Sequence, residues 1–293
     1  APYLLASAPR RGEHIAWGES NAVVFANSVL GSRTQKYPDF LDACVALTGR
    51  APLAGCHLDA GRRAQVVISL PEDLCLGELD DSFWPALGYL CGLRAEARVP
   101  AVVGLQAARP TRDDLKAFSA AFGTAASAAM YHMVGITPEA PDVASALGGR
   151  EADEVIRLSW ADLSSAWRSL DSGGEGGGGE VGLVCLGNPH FSFEEHARLA
   201  ELCRGRSKHP AVSVVVTTGR EVMEQARAAG HVAALERFGA RLVNDTCWCM
   251  LGEPLVPPSV HTLITNSAKY AHYAPGLVGR RVRFSSLAGC VEA

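Results

Sequence analysis

Apolar strand-like runs alternate with helical segments through the second half of the chain, and this alternation constrains the fold more than any other feature. Helices are predicted over residues 192–203 and 219–229, and strands over residues 181–186, 211–216, 241–243, 262–264 and 282–284. Strands that alternate with helices form a parallel sheet covered on both faces. The sequence therefore predicts an α/β fold with mostly parallel sheets.

The first half contains the same two kinds of element. Strands are predicted over residues 65–70, 100–105 and 154–158, and helices over residues 22–30, 40–48, 83–93, 111–123 and 160–170. The pattern changes near residue 151, and 293 residues are enough for two domains of ordinary size. We expect one α/β domain over residues 1–150 and a second over residues 151–293.

Composition narrows the class of protein. Hydrophobic residues make up 48% of the chain and charged residues 20%, which is typical of a globular protein. The net charge of -4 and the lack of a long basic run argue against nucleic-acid binding. No apolar run reaches the roughly 18 residues of a membrane helix, and we expect no signal peptide. Nine unevenly spaced cysteines indicate reduced thiols in a cytoplasm.

Polar residues gather directly after the predicted strands of the second half. These segments are residues 187–190 (GNPH), 217–220 (TTGR), 244–247 (NDTC) and 265–270 (TNSAKY). The carboxyl ends of parallel strands meet at one edge of a sheet, which is where α/β proteins place their active sites. The loop at the opposite edge, residues 204–210, is basic and lacks this clustering.

The candidate residues at this edge have alternative interpretations. Cys185 is either an inert core residue or a ligand. Cys247 lies in a turn, which is less natural for packing, so it is a candidate ligand or nucleophile. Cys249 could share zinc with Cys247, although structural zinc sites favour C-x2-4-C spacing and a second pair; otherwise it is a packing residue. His190 is a loop histidine or a site residue, and Lys269 is a solvated charge or the cation for an anionic substrate.

Two other segments resemble ligand sites. Glu13, His14, Glu19, Ser20 and Asn21 precede the helix over residues 22–30, and a helix start favours anions. The alternative is that Ser20 or Asn21 caps the helix. The glycine-rich residues 171–180 lack the lysine and the strand-to-helix order of a phosphate loop, so we expect a flexible surface loop there.

Several blocks of the sequence resemble the aconitase X family. The longest is residues 12–34 (GEHIAWGESNAVVFANSVLGSRT), which residues 37–40 (YPDF) follow. Further matching blocks are residues 187–192 (GNPHFS), 245–247 (DTC) and 266–276 (NSAKYAHYAPG). The similarity runs almost from end to end, and the first and last blocks are long enough to be specific.

The resemblance implies an aconitase-like three-layer α/β/α fold and a hydro-lyase. Bacterial members dehydrate cis-3-hydroxy-L-proline to pyrroline-2-carboxylate, and archaeal members dehydrate mevalonate 5-phosphate. It also implies an iron–sulfur cluster, either 2Fe-2S or 4Fe-4S, and a small swivelling subunit or domain. Cys247 is the expected cluster ligand, Cys185 a second, and a third is expected just before Ala1. The chain is expected to be incomplete at its N-terminus and inactive without the parts that it lacks.

Residue roles follow from the chemistry of dehydration, which needs a base, a group to hold the carboxylate and an acid for the leaving oxygen. Glu19, His14 and His190 are the candidates for proton transfer in this chain, and Lys269 completes the catalytic set; the alternative is that the base lies on the small domain. The predicted substrate-binding residues are Ser20, Asn21, Arg220 and Ser267. The alternatives are a phosphomevalonate dehydratase large subunit, a non-catalytic remnant or partner subunit, and a zinc protein that uses Cys247 and Cys249.

Overall fold

A computed structural model describes residues 1–75, 77, 79–173 and 179–293 of the chain. It divides into two compact units. The first unit is Pro2–Leu79 with Trp84–Ser164, and the second unit is Asp80–Phe83 with Ser165–Ala293 and Ala1. Of the glycine-rich segment that we expect to be a flexible loop, residues 174–178 lie outside the described residues.

The first unit is built on a four-stranded parallel sheet. Its strands are β1 (Val66–Ser69), β2 (Pro100–Val103), β3 (His132–Met133) and β4 (Glu154–Arg157), in the order β3-β2-β1-β4. Its helices are α1 (Ser20–Phe25), α2 (Leu41–Thr48), α3 (Asp59–Arg62), α4 (Phe83–Ala95), α5 (Arg112–Ala125) and α6 (Val143–Leu147). A further helix, α7 (Trp160–Leu170), is divided between the two units after Ser164. The strand β4 lies after residue 150, where we expected the second domain to begin. It nevertheless pairs with β1 and belongs to the sheet of the first unit.

The second unit is built on a five-stranded parallel sheet. Its strands are β5 (Val181–Phe191), β6 (Ser213–Thr218), β7 (Ala240–Asn244), β8 (Thr262–Thr265) and β9 (Arg281–Phe284), in the order β7-β6-β5-β8-β9. Its helices are α8 (Phe193–Leu202), α9 (Arg220–Ala228), α10 (His231–Phe238), α11 (Ala268–Val278) and α12 (Leu287–Glu292). The predicted α/β class with mostly parallel sheets is confirmed.

Local signals explain where several of these helices start and stop. Thr111 and Asp114 form a reciprocal capping box at the start of α5, and Ser192 and Glu195 form another at the start of α8. The predicted helix over residues 22–30 is α1 followed by a π-helical turn, Ala26–Leu30, which ends at left-handed Gly31. In the described part of the chain, no helix has the length and apolar character that crossing a membrane requires.

Gly187 permits a close backbone approach within β5, where the register with β6 shifts. Its φ of 92° lies in the left-handed region, and a Cβ at this position would lie 2.0 Å from the carbonyl oxygen of Thr217 in β6. Only glycine meets both conditions without a backbone shift. The residue that follows, Asn188, is thereby held at the carboxyl edge of the sheet.

Candidate active site

The carboxyl edge of the second sheet brings together the last residues of β5 and the loops that follow β7 and β8. The polar residues 187–190, which we expected to follow a strand ending at residue 186, lie inside β5, because this strand continues to Phe191. The Ser267 hydroxyl donates a short hydrogen bond to the carbonyl oxygen of Asn188. The Nε2 atom of His190 lies 2.6 Å from the carbonyl oxygen of Thr246. The expectation that polar residues after separate strands share one edge is therefore confirmed.

Two thiols lie around a buried amide at this edge. Cys247 donates a hydrogen bond of 3.9 Å to Oδ1 of Asn188, and Nδ2 of Asn188 donates one of 3.6 Å to Sγ of Cys249. The two thiols also share a hydrogen bond with each other. Cys249 reaches this position because Trp248–Met250 form a 3-10 turn. The residue that we assigned to packing is thus the thiol partner of Cys247.

The electrostatics of the thiol pair keep Cys249 protonated when no metal is bound. The pKa of the Cys249 thiol is raised, first by the hydrogen bond shared with Cys247 and then by burial. The buried ammonium group of Lys269 acts in the opposite direction on this pKa. A bound metal displaces thiol protons because thiolate is the form that ligates.

A buried phenol and a buried indole pack behind the thiols. Trp248 is fully buried, and its Nε1 donates to the carbonyl oxygen of Leu186 over 2.7 Å. The ring of Tyr270 lies 5.2 Å from that of Trp248. The Tyr270 hydroxyl is buried and has no hydrogen-bond partner among the described residues. Its pKa is raised, first by burial and then by the thiols of Cys185, Cys249 and Cys247.

Cys185 lies deeper in the sheet. It is 1% exposed within β5, and burial, followed by the neighbouring thiol of Cys290, raises its pKa well above the ordinary value. Its predicted role as a ligand stays a prediction. Among the described residues, no group of three or more His, Cys, Asp or Glu side chains could hold a metal ion. The thiol pair and the unpartnered Tyr270 hydroxyl fit part of a sulfur-rich metal centre.

The predicted substrate-binding residues at this edge already make structural contacts. Arg220 forms a two-point contact with Asp245, with Nε 2.8 Å and NH2 2.7 Å from Oδ2. The pKa of Asp245 is lowered, chiefly because the Arg220 backbone N–H donates to its carboxylate. The Ser267 hydroxyl caps α11 by accepting from the Tyr270 N–H over 3.1 Å. Their roles in binding substrate stay predictions.

In the first unit, the entry to α1 differs from the capping that we predicted. The N-cap residue is Glu19 rather than Ser20 or Asn21, and its carboxylate accepts from the Asn21 backbone N–H over 3.2 Å. The Asn21 side chain donates to the same carboxylate over 2.9 Å and accepts from the Tyr3 hydroxyl over 3.2 Å. The carboxylate of Glu19 thus occupies the position in which we expected an anionic ligand.

His14 belongs to a second cluster of polar residues in the first unit. Its Nδ1 lies 2.8 Å from Nδ1 of His57, and Nε2 of His57 makes a short hydrogen bond with the Tyr37 hydroxyl. His57 could not be predicted from the sequence, because it lies in the short 3-10 turn Gly55–His57 and belongs to no motif. Tyr37 falls in a block that resembles aconitase X, which is the signal that could have identified it.

One buried arginine connects three segments beside this cluster. Arg62 is 3% exposed and pairs with Glu139, with NH2 2.7 Å from Oε1. It also donates to the side-chain and main-chain oxygens of Asn27 and to the carbonyl oxygen of Cys56, over 2.9 to 3.0 Å. The carbonyl oxygen of Arg62 itself lies 2.6 Å from Nε2 of buried His132.

The fold and the thiol-bearing edge define an α/β protein with a candidate active site at the carboxyl ends of parallel strands. Three domain models match the chain: the aconitase X first domain over residues 1–60, the second domain over residues 64–168 and the third domain over residues 181–293. The chain belongs to the aconitase X family.

Individual relatives agree with this assignment. The chain is 61% identical to a cis-3-hydroxy-L-proline dehydratase of Pseudomonas aeruginosa and 56% identical to one of Hypocrea jecorina, both over 100% of this chain. It covers 50% and 49% of those proteins, so it spans about half the length of these relatives. It is 32% identical to the phosphomevalonate dehydratase large subunit of Methanocaldococcus jannaschii, over 98% of this chain and 68% of that protein.

A solved structure shares the fold. The crystal structure of Thermococcus kodakaraensis aconitase X in its holo-form superposes with a TM-score of 0.86 at 29% sequence identity. The match covers 100% of this chain and 71% of that chain.

Proposed function

We propose that this chain is part of a hydro-lyase that dehydrates cis-3-hydroxy-L-proline to pyrroline-2-carboxylate. The observation that carries the proposal is the 61% and 56% identity to two cis-3-hydroxy-L-proline dehydratases across the whole chain. Identity to a phosphomevalonate dehydratase large subunit of Methanothermobacter thermautotrophicus is 35%. The difference favours hydroxyproline over phosphomevalonate as the substrate.

The reaction breaks the Cα–H and Cβ–O bonds of the substrate and forms a double bond between these carbons. An iron–sulfur cluster, when bound, supplies a Lewis acid for the leaving oxygen. Cys247 would hold it, and the contact between the two thiols supports Cys249 as a second ligand. The family resemblance implies Cys185 as the second ligand and a residue before Ala1 as the third. The nitrogen of Ala1 lies 3.4 Å from Nδ1 of His190, at the same edge.

The protein's own residues handle protons and charge. Because the carbonyl oxygen of Thr246 can only accept, Nε2 of His190 carries the hydrogen, and Nδ1 is its accepting atom when the ring is neutral. This atom already contacts the nitrogen of Ala1, and the role of His190 in proton transfer rests on the dehydration chemistry. The ammonium group of Lys269 stabilises negative charge at the thiols and at the substrate carboxylate.

Other residues keep the roles that sequence analysis gave them. Arg220 and Ser267 bind substrate in the second unit. His14 and Glu19 serve proton transfer, and Ser20 and Asn21 serve substrate binding. The chemistry of dehydration, which needs a base, an acid and a group that binds the carboxylate, supports these assignments.

The complete enzyme works with a small swivelling subunit or domain. The term "large subunit" in the names of archaeal relatives supports a second component. We place the enzyme in the cytoplasm, since all nine of its cysteines are free thiols.

The first test measures the metal centre itself. In the complete protein, Cys247→Ala should abolish visible absorption and lower iron and sulfide content at least about tenfold. Cys75→Ala, which removes an exposed thiol, is the matched control and should keep both signals. An unchanged spectrum in Cys247→Ala would sink the assignment of Cys247. Zinc at one per chain without sulfide would favour a zinc site instead.

A second pair of variants separates the two candidates for the second thiolate. Cys249→Ala should lower iron content in the same way, whereas Cys185→Ala should retain iron and lose only packing in the sheet. The reverse result would favour the ligand that sequence analysis predicted. Equal retention in both variants would contradict a two-thiol site in this chain.

The substrate is tested by assay of the complete, assembled protein. We expect pyrroline-2-carboxylate to form from cis-3-hydroxy-L-proline, and no dehydration of mevalonate 5-phosphate. Dehydration of the phosphate alone would reverse the substrate assignment. No dehydration of either compound, with the small component present, would indicate a non-catalytic relative.

A further inference from the structure

We propose that Tyr37 and His57 form a proton relay with His14, in which His57 switches between its two neutral tautomers as His14 gains and loses a proton. This inference rests on the proposed function, because that function gives His14 its role in proton transfer. Tyr37 and His57 are then positioning residues, and the atom that meets the substrate is Nε2 of His14.

The geometry places three titratable groups in one hydrogen-bonded line. Nδ1 of His14 lies 2.8 Å from Nδ1 of His57, and Nε2 of His57 contacts the Tyr37 hydroxyl. The two imidazole planes are inclined by only 5°. His14 is exposed, His57 is 3% exposed and Tyr37 is half-buried. The line therefore runs from solvent, through a buried ring, to a hydroxyl that water can reach.

The surroundings of His57 oppose a charge on its ring. Its pKa is lowered, first by burial and then by His14, Arg62 and Arg33. The guanidinium group of Arg33 donates to the His57 carbonyl oxygen over 3.0 Å and pairs with Asp59, whose side chain is 81% exposed. The charges of Arg33 and Arg62 thus both oppose a positive charge on this ring. A neutral His57 carries one hydrogen, at Nδ1 or at Nε2.

Contact between two Nδ1 atoms requires that one of them carries the hydrogen. In one arrangement, His57 donates from Nδ1 to His14 and accepts at Nε2 from the Tyr37 hydroxyl. In the other arrangement, His14 donates from Nδ1 to His57, which donates from Nε2 to the Tyr37 oxygen. The second arrangement leaves the lone pair of His14 Nε2 available to accept a proton.

The relay moves one proton without leaving a charge behind. His14 Nε2 accepts the Cα proton, and the electron pair of the broken C–H bond stays on the substrate carbon. His14 passes its Nδ1 hydrogen to Nδ1 of His57, which passes its Nε2 hydrogen to the Tyr37 oxygen, and Tyr37 releases its original hydrogen to water. All three groups end neutral. Release of the His14 Nε2 hydrogen to water, while Tyr37 takes a proton from water and the hydrogens along the line shift back, restores the first state.

The test reads the tautomers directly by NMR of the full chain with 15N-labelled histidine. A protonated His14 can only donate from Nδ1, so His57 must then hold its hydrogen at Nε2. As the pH is lowered through the titration of His14, the Nε2–H form of His57 should rise to nearly all of the population while the ring stays neutral. A constant tautomer, or a His57 that itself becomes charged, would overturn the relay.

Tyr37→Phe sharpens the test. Without the hydroxyl, the Nε2–H form of His57 loses its acceptor, so the pH at which His14 titrates should fall by about one unit. Tyr273→Phe, a change at a partly exposed tyrosine of the second unit, is the matched control and should leave both histidines unchanged. An unchanged His14 titration in Tyr37→Phe would also contradict the relay.

Activity of the complete enzyme separates this inference from the proposed function. Tyr37→Phe should lower kcat about 10- to 100-fold with KM within about twofold. If the tautomer of His57 switches but the wild-type protein dehydrates no substrate, the relay is supported and the proposed function is contradicted. If the protein dehydrates the substrate while the tautomer of His57 stays constant, the proposed function is supported and the relay is contradicted.

Discussion

The two polar clusters of this chain are assembled by different means. In the second unit, pairing between parallel strands brings Asn188, Cys247 and Ser267 to one sheet edge. In the first unit, the buried side chain of Arg62 ties together the segments that contain Asn27, Cys56 and Glu139. Placement by a sheet can be predicted from the positions where strands end. The segments that a single buried charge holds together cannot be predicted in this way, because the partners of that charge follow no regular spacing in the sequence.

The largest expected effect comes from removing the charge that organises the first unit. Arg62→Met leaves Glu139 without its partner and two main-chain carbonyl oxygens without a donor. Breaking a buried ion pair from one side costs about 3–5 kcal/mol, and urea unfolding measures the loss. Arg204→Met is the matched control, because its ion pair with Glu201 is exposed. Equal losses of unfolding free energy in the two variants would show that the buried arginine does not organise the first unit.

The second effect tests the backbone contact that organises the other cluster. Gly187→Ala places a Cβ 2.0 Å from the Thr217 carbonyl oxygen at a φ of 92°. We expect the free energy of unfolding to fall by about 2–4 kcal/mol, from backbone strain and crowding together. Gly252→Ala meets nothing within 4 Å and should be nearly neutral. A neutral Gly187→Ala would mean that the sheet edge adapts freely.

The third effect is a dependence of the stability of the first unit on pH. Burial lowers the pKa of His132 from its ordinary value of about 6.5. Between about pH 6.5 and that lowered value, the unfolded chain binds a proton that the folded chain does not, so stability falls as the pH falls. The loss approaches about 1.4 kcal/mol per pH unit for this group.

Unfolding at pH 7.5, 6.5 and 5.5 measures this slope. His132→Gln should reduce this slope without abolishing it, because burial also lowers the pKa values of His57 and His272. His209→Gln, a change at an exposed histidine of the second unit, should leave the slope unchanged. The same slope in His132→Gln and in the wild-type chain would show that other groups control acid sensitivity.

The smallest effect should be equal in the two units. Thr111→Ala and Ser192→Ala each remove the hydroxyl half of a capping box. Each should cost about 1 kcal/mol, measured by urea unfolding. Ser207→Ala, in an exposed loop, serves as the control. If the two substitutions changed the free energy of unfolding by very different amounts, the stability of a helix start would depend on the unit in which it lies.

Sequence patterns were sufficient for most of the sheet and for part of the site. The strands of the second unit were predicted from their buried apolar runs, and the shared edge follows from parallel pairing. The end of β5 was predicted too early, because this strand continues through the polar residues 187–190 to Phe191 after a register shift. The helix α10 was missed, because a helix of eight residues between Gly230 and Gly239 resembles a connection. Capping by Glu19 was missed because Ser20 and Asn21 are the commoner caps.

Tertiary contacts account for the remaining differences at the site. Cys-x-Cys spacing argued against a shared site for Cys247 and Cys249, but a 3-10 turn and the amide of Asn188 bring the thiols together. His57 depends on contacts with residues 20 to 43 positions away, which no local pattern encodes. Local chemistry thus predicted which edge to search, and tertiary packing determined which side chains meet there.

Trp248 gives the site an optical reporter of its own. Its buried indole sits in the chain between Cys247 and Cys249, and its N–H is fixed on the carbonyl oxygen of Leu186. Indole emission is quenched over short distances by a chromophore that absorbs at the emission wavelength. Of the five tryptophans in the chain, Trp248 therefore lets fluorescence follow the arrival or loss of any coloured group at the thiol pair in real time.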